Sequence, residues 1–185
     1  MSKKEHRKTD QLTAGFLLNK FKISINPALA YQLIINCIGL FLIFKAVTNF
    51  EFQAEMLWIY IFWAIFSTLT EMKPITMPNN DQLTISFAVH ISALILFGAP
   101  TAILISTVAN IFTDITGRRG LKKLFFNISQ YAITIYLAWL VYQLFRWNTG
   151  PLQLKTDAPA MIISCLVYVV VNFILVSTVI SLSQG

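Results

Sequence analysis

Charged side chains are scarce in this sequence. Asp, Glu, Lys and Arg make up 12% of the 185 residues, about half their share in an ordinary soluble domain. Hydrophobic residues reach 56%, and the mean hydropathy is +0.67. This balance excludes a soluble globular protein and indicates a chain that lies in a membrane.

Cysteine is equally rare, and the two cysteines, Cys37 and Cys165, each lie within an apolar run. Neither has a second cysteine or a histidine at the spacing of a metal site or a redox motif. We therefore expect two small buried side chains, with no disulfide, no metal ion and no cofactor.

Catalytic signatures are missing from the sequence as well. It contains no GxSxG, no HExxH, no phosphate-binding glycine loop and no paired carboxylates. We predict that the chain is not an enzyme and has no catalytic residues. The net charge of +6 does not indicate nucleic acid as a partner, because the basic residues flank apolar runs, as membrane orientation signals do.

Six apolar runs are present, and they predict an all-α polytopic membrane protein, a bundle of six transmembrane helices. The third and fourth runs have about 15 residues each, roughly 22 Å at 1.5 Å per residue, which is short for a hydrocarbon core of about 30 Å. The turn Gly98-Ala99-Pro100 between them predicts a tight helical hairpin, with a re-entrant pair as the alternative. The runs occupy residues 27–44, 56–70, 83–97, 101–115, 121–145 and 158–182.

A basic tail, residues 1–24, precedes the predicted six-helix domain, residues 25–185. With this tail in the cytoplasm, eleven basic residues face inward and three, Lys45, Arg146 and Lys155, face outward. The asymmetry predicts a multi-pass protein with both termini in the cytoplasm. Four of the inward residues share one turn, where we expect them to set the topology and contact lipid headgroups: Arg118, Arg119, Lys122 and Lys123.

Polar side chains recur at helical spacing within the runs, and such groups face the interior of a bundle because exposing them to hydrocarbon is costly. Several lie at a similar depth, within roughly 15 Å of the basic turn at 1.5 Å per residue. Together they predict a ligand site in the cytoplasmic half of the bundle. The alternative is that each one hydrogen-bonds helix to helix, at about 0.6 kcal/mol per contact. The candidate ligand-binding residues are His90, Asn110, Asn127, Gln130 and Asn172.

Two titratable residues within the runs each have two interpretations. The imidazole of His90 can change its charge near neutral pH, but it can also serve as a hydrogen-bonded packing residue. Asp114 is predicted at a helix C-terminus, where the helix dipole disfavours an anion. Arg118 follows four residues later, so we expect a structural ion pair there rather than a proton relay.

A pattern of polar and turn residues continues through the last two thirds of the chain: Glu71, Pro74, Pro78, Ser86, Phe97-Gly98-Ala99-Pro100, Asp114, Lys123, Phe125-Phe126-Asn127, Gln130 and Asn172. With this pattern, residues 55–185 resemble the N-terminal membrane sensor domain of bacterial signalling proteins that carry a cytoplasmic HD-GYP or GGDEF domain. The resemblance implies a sensory or regulatory module of the bacterial inner (cytoplasmic) membrane. Its output domain would make or degrade cyclic di-GMP.

The 185 residues contain no such output domain. We therefore expect either a fragment of a longer signalling protein or a module that acts through a partner. The expected partners are the lipid bilayer, a small-molecule ligand, and a second copy of the chain or a cytoplasmic output domain.

A transport protein is the second hypothesis. Six spans in about 185 residues, with polar faces turned inward, also resemble the substrate-binding membrane subunits of energy-coupling-factor vitamin transporters. Those subunits dock their coupling partner through an Ala-xxx-Ala pair on the first helix, and the first run here lacks that pair. A purely structural membrane protein is a third hypothesis, for which the sequence offers no positive feature.

Overall fold

The structure, a computed structural model, describes residues 26–73, 75–76, 82–83, 85–118, 120–147 and 150–184. Five long helices hold most of these residues, together with one 3-10 turn at Ala54–Met56. The predicted basic tail, residues 1–24, lies outside the described residues. In chain order the helices are α1 (Pro27–Thr48), α2 (Leu57–Met72), α3 (Ser86–Thr116), α4 (Leu121–Phe145) and α5 (Leu154–Gln184).

A two-residue antiparallel ladder precedes α3. Strand β1 (Ile75–Thr76) pairs with strand β2 (Gln82–Leu83). The helix that the sequence predicts from residue 83 therefore begins at Ser86. The ladder can take the place of a first helical turn because the paired strand satisfies backbone groups that a lone strand would leave without hydrogen bonds.

Helix α3 contains two of the six predicted runs, so the structure has five long helices where the sequence predicts six. Its 31 residues are interrupted at Gly98, whose φ of 81° and ψ of 174° lie outside the helical region. Glycine adopts this conformation without the steric penalty of a side chain, and proline suits the first turn of the segment that follows. The first limb, residues 86–97, therefore passes through one residue into the second limb, residues 99–116.

Helix α4 is the central element, since it packs against α1, α3 and α5, whereas α2 packs on α3. Helices α1 and α4 approach each other closely where Gly39 lies against Ser129. A Cβ atom at position 39 would collide with the backbone of Ser129. Small residues permit close contacts of this kind between membrane helices, so Gly39 fixes where α1 crosses α4.

Small side chains also line the other helix contacts. Alanines with almost no exposed surface recur on α3, α4 and α5, where a larger side chain would hold the backbones apart. The bundle is therefore closely packed around α4. These alanines are Ala93, Ala102, Ala109, Ala132, Ala138 and Ala160.

Four helices, α1, α3, α4 and α5, are long and apolar enough to cross a membrane by length and composition. Helix α2 has 16 residues, about 24 Å at 1.5 Å per residue. The outer faces of the bundle expose large apolar side chains, for example Phe41, Leu144 and Phe173. In water such a surface would be an aggregation-prone patch, whereas in lipid it is the expected exterior. The chain is a multi-pass membrane protein.

Helix α5 begins at Leu154, four residues before its predicted start. Asp157 in this added turn is fully buried, and its Oδ2 accepts a hydrogen bond from the backbone N–H of Gln153 at 3.0 Å. The Nε of Arg146 lies 3.5 Å from the same oxygen. A carboxylate in the first turn complements the helix dipole, which explains why the helix extends beyond the apolar run.

Candidate functional site: a buried histidine network

His90, in the second turn of α3, has no exposed surface. Its Nε2 lies 3.0 Å from the Oγ of Ser67 on α2, and its Nδ1 lies 2.8 Å from the hydroxyl oxygen of Tyr168 on α5. Ser67 and Tyr168 are also fully buried. The imidazole thus joins three helices through two hydrogen bonds.

Both ring nitrogens of His90 are therefore engaged by hydroxyl groups. A neutral imidazole donates through one nitrogen and accepts through the other, and a hydroxyl can take either part. Both tautomers of His90 are therefore compatible with the two hydrogen bonds, one to Ser67 and one to Tyr168. Exchanging the two tautomers reverses the direction of both hydrogen bonds, provided that the ring proton moves from one nitrogen to the other and each hydroxyl hydrogen rotates.

An aromatic ring brings a fourth helix to the imidazole. Tyr131 of α4 meets His90 edge to face, with ring centroids 5.2 Å apart and an interplanar angle of 76°. This geometry is the one that aromatic quadrupoles favour. Ser67, His90, Tyr131 and Tyr168 together form a cluster that we call the histidine network, and it connects α2, α3, α4 and α5.

Polar side chains one helical turn away continue the network along three of its helices. On α5, Ser164 precedes Tyr168 by four residues and donates to the carbonyl oxygen of Ala138 on α4 at 2.8 Å. On α2, Glu71 follows Ser67 by four residues, and on α3, Ser86 precedes His90 by four; both are buried and have partners of their own. Buried polar groups need partners because their desolvation is otherwise uncompensated. The network is therefore the centre of a polar column inside an apolar bundle.

The other four predicted ligand-binding residues have separate surroundings. Asn110 is buried and donates to a carbonyl one turn earlier in its own helix at 2.9 Å, while Asn127 donates to the Oδ2 of Asp114 at 2.9 Å. Gln130 is buried and Asn172 is half-buried, and the side-chain oxygen of each lacks a hydrogen-bond partner among the described residues. Within the described residues, no hydrogen bond joins any two of the five candidate residues. Their convergence on a common ligand stays a prediction.

The ion pair expected between Asp114 and Arg118 does not occur among the described residues. Arg118 lies beyond the end of α3 with a φ of 49°, so the four-residue spacing of a continuous helix does not apply to it. The carboxylate of Asp114 instead accepts the hydrogen bond from Asn127 and ties the second limb of α3 to α4. A structural role for Asp114, rather than a proton relay, stays a prediction.

The sequence pointed to His90 but not to the residues that bind it. Tyr131 follows Asn127 by four residues and Tyr168 precedes Asn172 by four, but a tyrosine in a membrane helix also suits the lipid interface. Ser67 lies in an aromatic-rich run, where its one signal is the four-residue spacing to Glu71.

A cavity of about 220 Å³ lies beside the second half of α4, where α1 ends and the second limb of α3 begins. Lys45, Pro100, Tyr136 and Trp139 are among the residues that line it. The Lys45 ammonium lies 5.6 Å from the centroid of the Tyr136 ring, within the range of a cation–π contact. Its volume lies below the roughly 300–1,000 Å³ that small-ligand sites occupy.

Long apolar helices that enclose a buried polar network define the chain as a multi-pass membrane protein. The family profile of MASE9 matches residues 38–185, and the chain belongs to that family. MASE domains are membrane-associated sensor domains found in cyclic-di-GMP signalling proteins. No curated protein and no solved structure resembles the chain significantly. The family assignment favours a sensory domain over the transporter hypothesis.

Proposed function

We propose that this chain is the sensory membrane module of a bacterial cyclic-di-GMP signalling system, with no catalytic activity of its own. It would lie in the inner membrane with both termini in the cytoplasm, and its last helix would act on an HD-GYP or GGDEF output domain. The observation that carries the proposal is the histidine network, because it connects α5 to α2, α3 and α4 in the interior of a MASE9 bundle.

The energetics of the network suit a switch. An interhelical hydrogen bond in a membrane contributes about 0.6 kcal/mol, so the two bonds of His90 together change a two-state ratio by roughly eight-fold. An input acts on α5 only if it binds two arrangements of the bundle unequally. Breaking the hydrogen bond between His90 and Tyr168 would remove the link that the imidazole makes from α5 to α3 and α2.

The contacts of α3 support the further proposal that its limbs are two antiparallel spans, which gives six in all. In the first limb, the ring centroid of Phe97 lies 6.1 Å from that of Tyr60, near the beginning of α2. His90 in the same limb bonds Ser67, two turns further along α2. The first limb therefore runs antiparallel to α2.

The second limb has the corresponding relation to α4. Pro100 at its beginning lines a cavity together with Tyr136, in the second half of α4. Asp114 near its end bonds Asn127, in the second turn of α4. Both limbs thus extend from Gly98 toward the end of the bundle that carries the basic turn, as expected of a hairpin whose tip is extracytoplasmic.

The input that we propose is a small molecule or the state of the bilayer. The candidate residues His90, Asn110, Asn127, Gln130 and Asn172 remain the proposed ligand site. The side-chain oxygens of Gln130 and Asn172, which have no hydrogen-bond partner within the described residues, could accept hydrogen bonds from a ligand. Mass spectrometry of molecules released from the detergent-purified protein would identify one. A second copy of the chain is a further proposed partner.

A chimaera in which a GGDEF domain follows α5 tests the proposed function through intracellular cyclic di-GMP. Tyr168→Phe deletes the hydroxyl that binds His90, and a loss of about 0.6 kcal/mol predicts a change of roughly three-fold in output. Tyr60→Phe is the matched control, because the Tyr60 hydroxyl makes no hydrogen bond within the described residues. Equal cyclic di-GMP in wild type and both variants, at equal membrane abundance, would refute the coupling.

A further inference from the structure

A second cavity, of about 420 Å³, opens where α1 begins, α4 begins and α5 ends. Its volume lies within the range of roughly 300–1,000 Å³ that small-ligand sites occupy. Its lining has two kinds of surface. The polar wall holds Lys122, Lys123, Gln32, Asn127 and Ser183, and the apolar wall holds Phe126, Val179 and Ile180.

We propose that this terminal pocket binds one anionic phospholipid. Lys122 and Lys123 would hold the phosphate of the headgroup, with Gln32 and Ser183 supplying neutral hydrogen bonds. Phe126 and Val179 would contact the upper part of an acyl chain. The proposal goes beyond the sensory role, because it assigns a specific lipid to a site between three helices.

The charges of the pocket indicate an anion. Lys122 and Lys123 lie in the first turn of α4, which contains no acidic residue, and the helix dipole disfavours cations at that position. Neither lysine has an ion-pair partner within the described residues. Asp114, whose carboxylate accepts a hydrogen bond from the pocket residue Asn127, does not itself line the pocket. A bound phosphate would supply the missing counter-charge.

The apolar wall and the position of the pocket indicate a lipid. The pocket lies at the ends of three membrane helices, the depth at which headgroups meet water, and basic pockets between helices at this depth are known to hold anionic headgroups. Phe126 and Val179 are buried, while Ile180 is half exposed toward the outer face. An acyl chain bound along this wall can therefore continue into the bilayer. A soluble phosphate ester would not need such an apolar wall.

The tail of this chain is a poor alternative occupant. Residues 1–24 contain six basic and two acidic residues, so their charge has the same sign as the two lysines. A second copy of the chain would bring the same two lysines together in a symmetric contact. Charge complementarity therefore favours the lipid over both.

Native mass spectrometry of the detergent-purified protein tests the proposal. Phosphatidylglycerol and phosphatidylcholine are added at equal concentration, and we expect the singly lipidated protein to prefer phosphatidylglycerol. Each lysine near a membrane surface contributes about five-fold to binding an anionic lipid, so Lys122→Gln with Lys123→Gln should lower that preference by roughly 20- to 30-fold. The matched control, Lys45→Gln with Lys155→Gln, removes the same charge at the other end of the bundle and should keep the preference.

Two further measurements decide between sources of the phosphate and between modes of binding. Glycerol 3-phosphate at millimolar concentration should not displace phosphatidylglycerol; equal displacement would make a soluble phosphate ester the ligand and overturn the lipid. Val179→Trp fills the apolar wall without changing charge and should abolish the adduct. An unaltered adduct in this variant, or equal retention of both lipids by the wild type, would reduce the pocket to non-specific lipid attraction.

Discussion

Replacing Gly39 with alanine would test how α1 packs on α4. The new Cβ atom would collide with the Cα and Cβ of Ser129 and lie 2.6 Å from its carbonyl oxygen, about 1 Å inside an ordinary contact distance. The obstacle is largely backbone, so rotating a side chain cannot relieve it. Helix α1 must move away from α4, which would also disturb the bond from the Tyr31 hydroxyl to the carbonyl oxygen of Leu175 on α5.

The expected cost follows from the same geometry. Over-packing a close contact costs about 1–3 kcal/mol, and a backbone collision places Gly39→Ala toward the upper end. Equilibrium unfolding in a mixed-micelle titration, followed by circular dichroism, measures the free energy of unfolding. Gly120→Ala is the matched control, because a Cβ there meets nothing within 4 Å. Unchanged stability in Gly39→Ala would mean that α1 and α4 are not in close contact.

Three further predictions concern topology, the interruption of α3 and the start of α5. Cysteine at Leu152 should react with an impermeant thiol reagent from outside the cell and cysteine at Gly120 should not; the reverse pattern would contradict the proposed orientation. Gly98→Val places a β-branched residue at a φ of 81°, at about 1–3 kcal/mol, and should sharply lower the folded yield in size-exclusion chromatography, whereas a neutral result would argue against the kink. Asp157→Ala removes the counter-charge of the partly exposed Arg146 and the acceptor of the Gln153 N–H, and should lower the unfolding free energy by about 1–3 kcal/mol; a change below 1 kcal/mol would mean that water already screens the pair.

The sequence predicts the helices better than their number. Apolar runs of 15 to 25 residues indicate helices directly, because a membrane requires every backbone group to be satisfied within the segment. The two runs that meet at Gly98 are separated by a single non-helical residue, so they count as one interrupted helix in the structure, and composition alone does not show so short an interruption. The apolar pattern does not predict the early start of α5, because the Asp157 contacts with Arg146 and the Gln153 N–H, rather than apolar residues, extend the helix there.

The site illustrates what a single sequence omits. His90 stands out because a titratable residue in an apolar run is rare, but its partners come from helices whose relative rotation the sequence does not specify. Ser67 and Tyr168 are 23 and 78 residues away in the chain. Side-chain type alone gave no reason to pair them, because serine and tyrosine are common in membrane helices without a shared function.

We infer that the histidine network sets the position of α5 relative to α2. Distances between two spin labels, measured by double electron–electron resonance spectroscopy, test this inference most directly. Spin labels at Met72, the last residue of α2, and at Ser181, in the last turn of α5, report the separation of the two helix ends after Cys37 and Cys165 are replaced. We expect one narrow distance distribution in the wild type and a second population or a shifted distance in Tyr168→Phe.

Tyr60→Phe, which also removes one phenolic hydroxyl, should give the wild-type distribution in the same measurement. Identical distributions in wild type, Tyr168→Phe and Tyr60→Phe would contradict the claim, because α5 would then hold its place without the network.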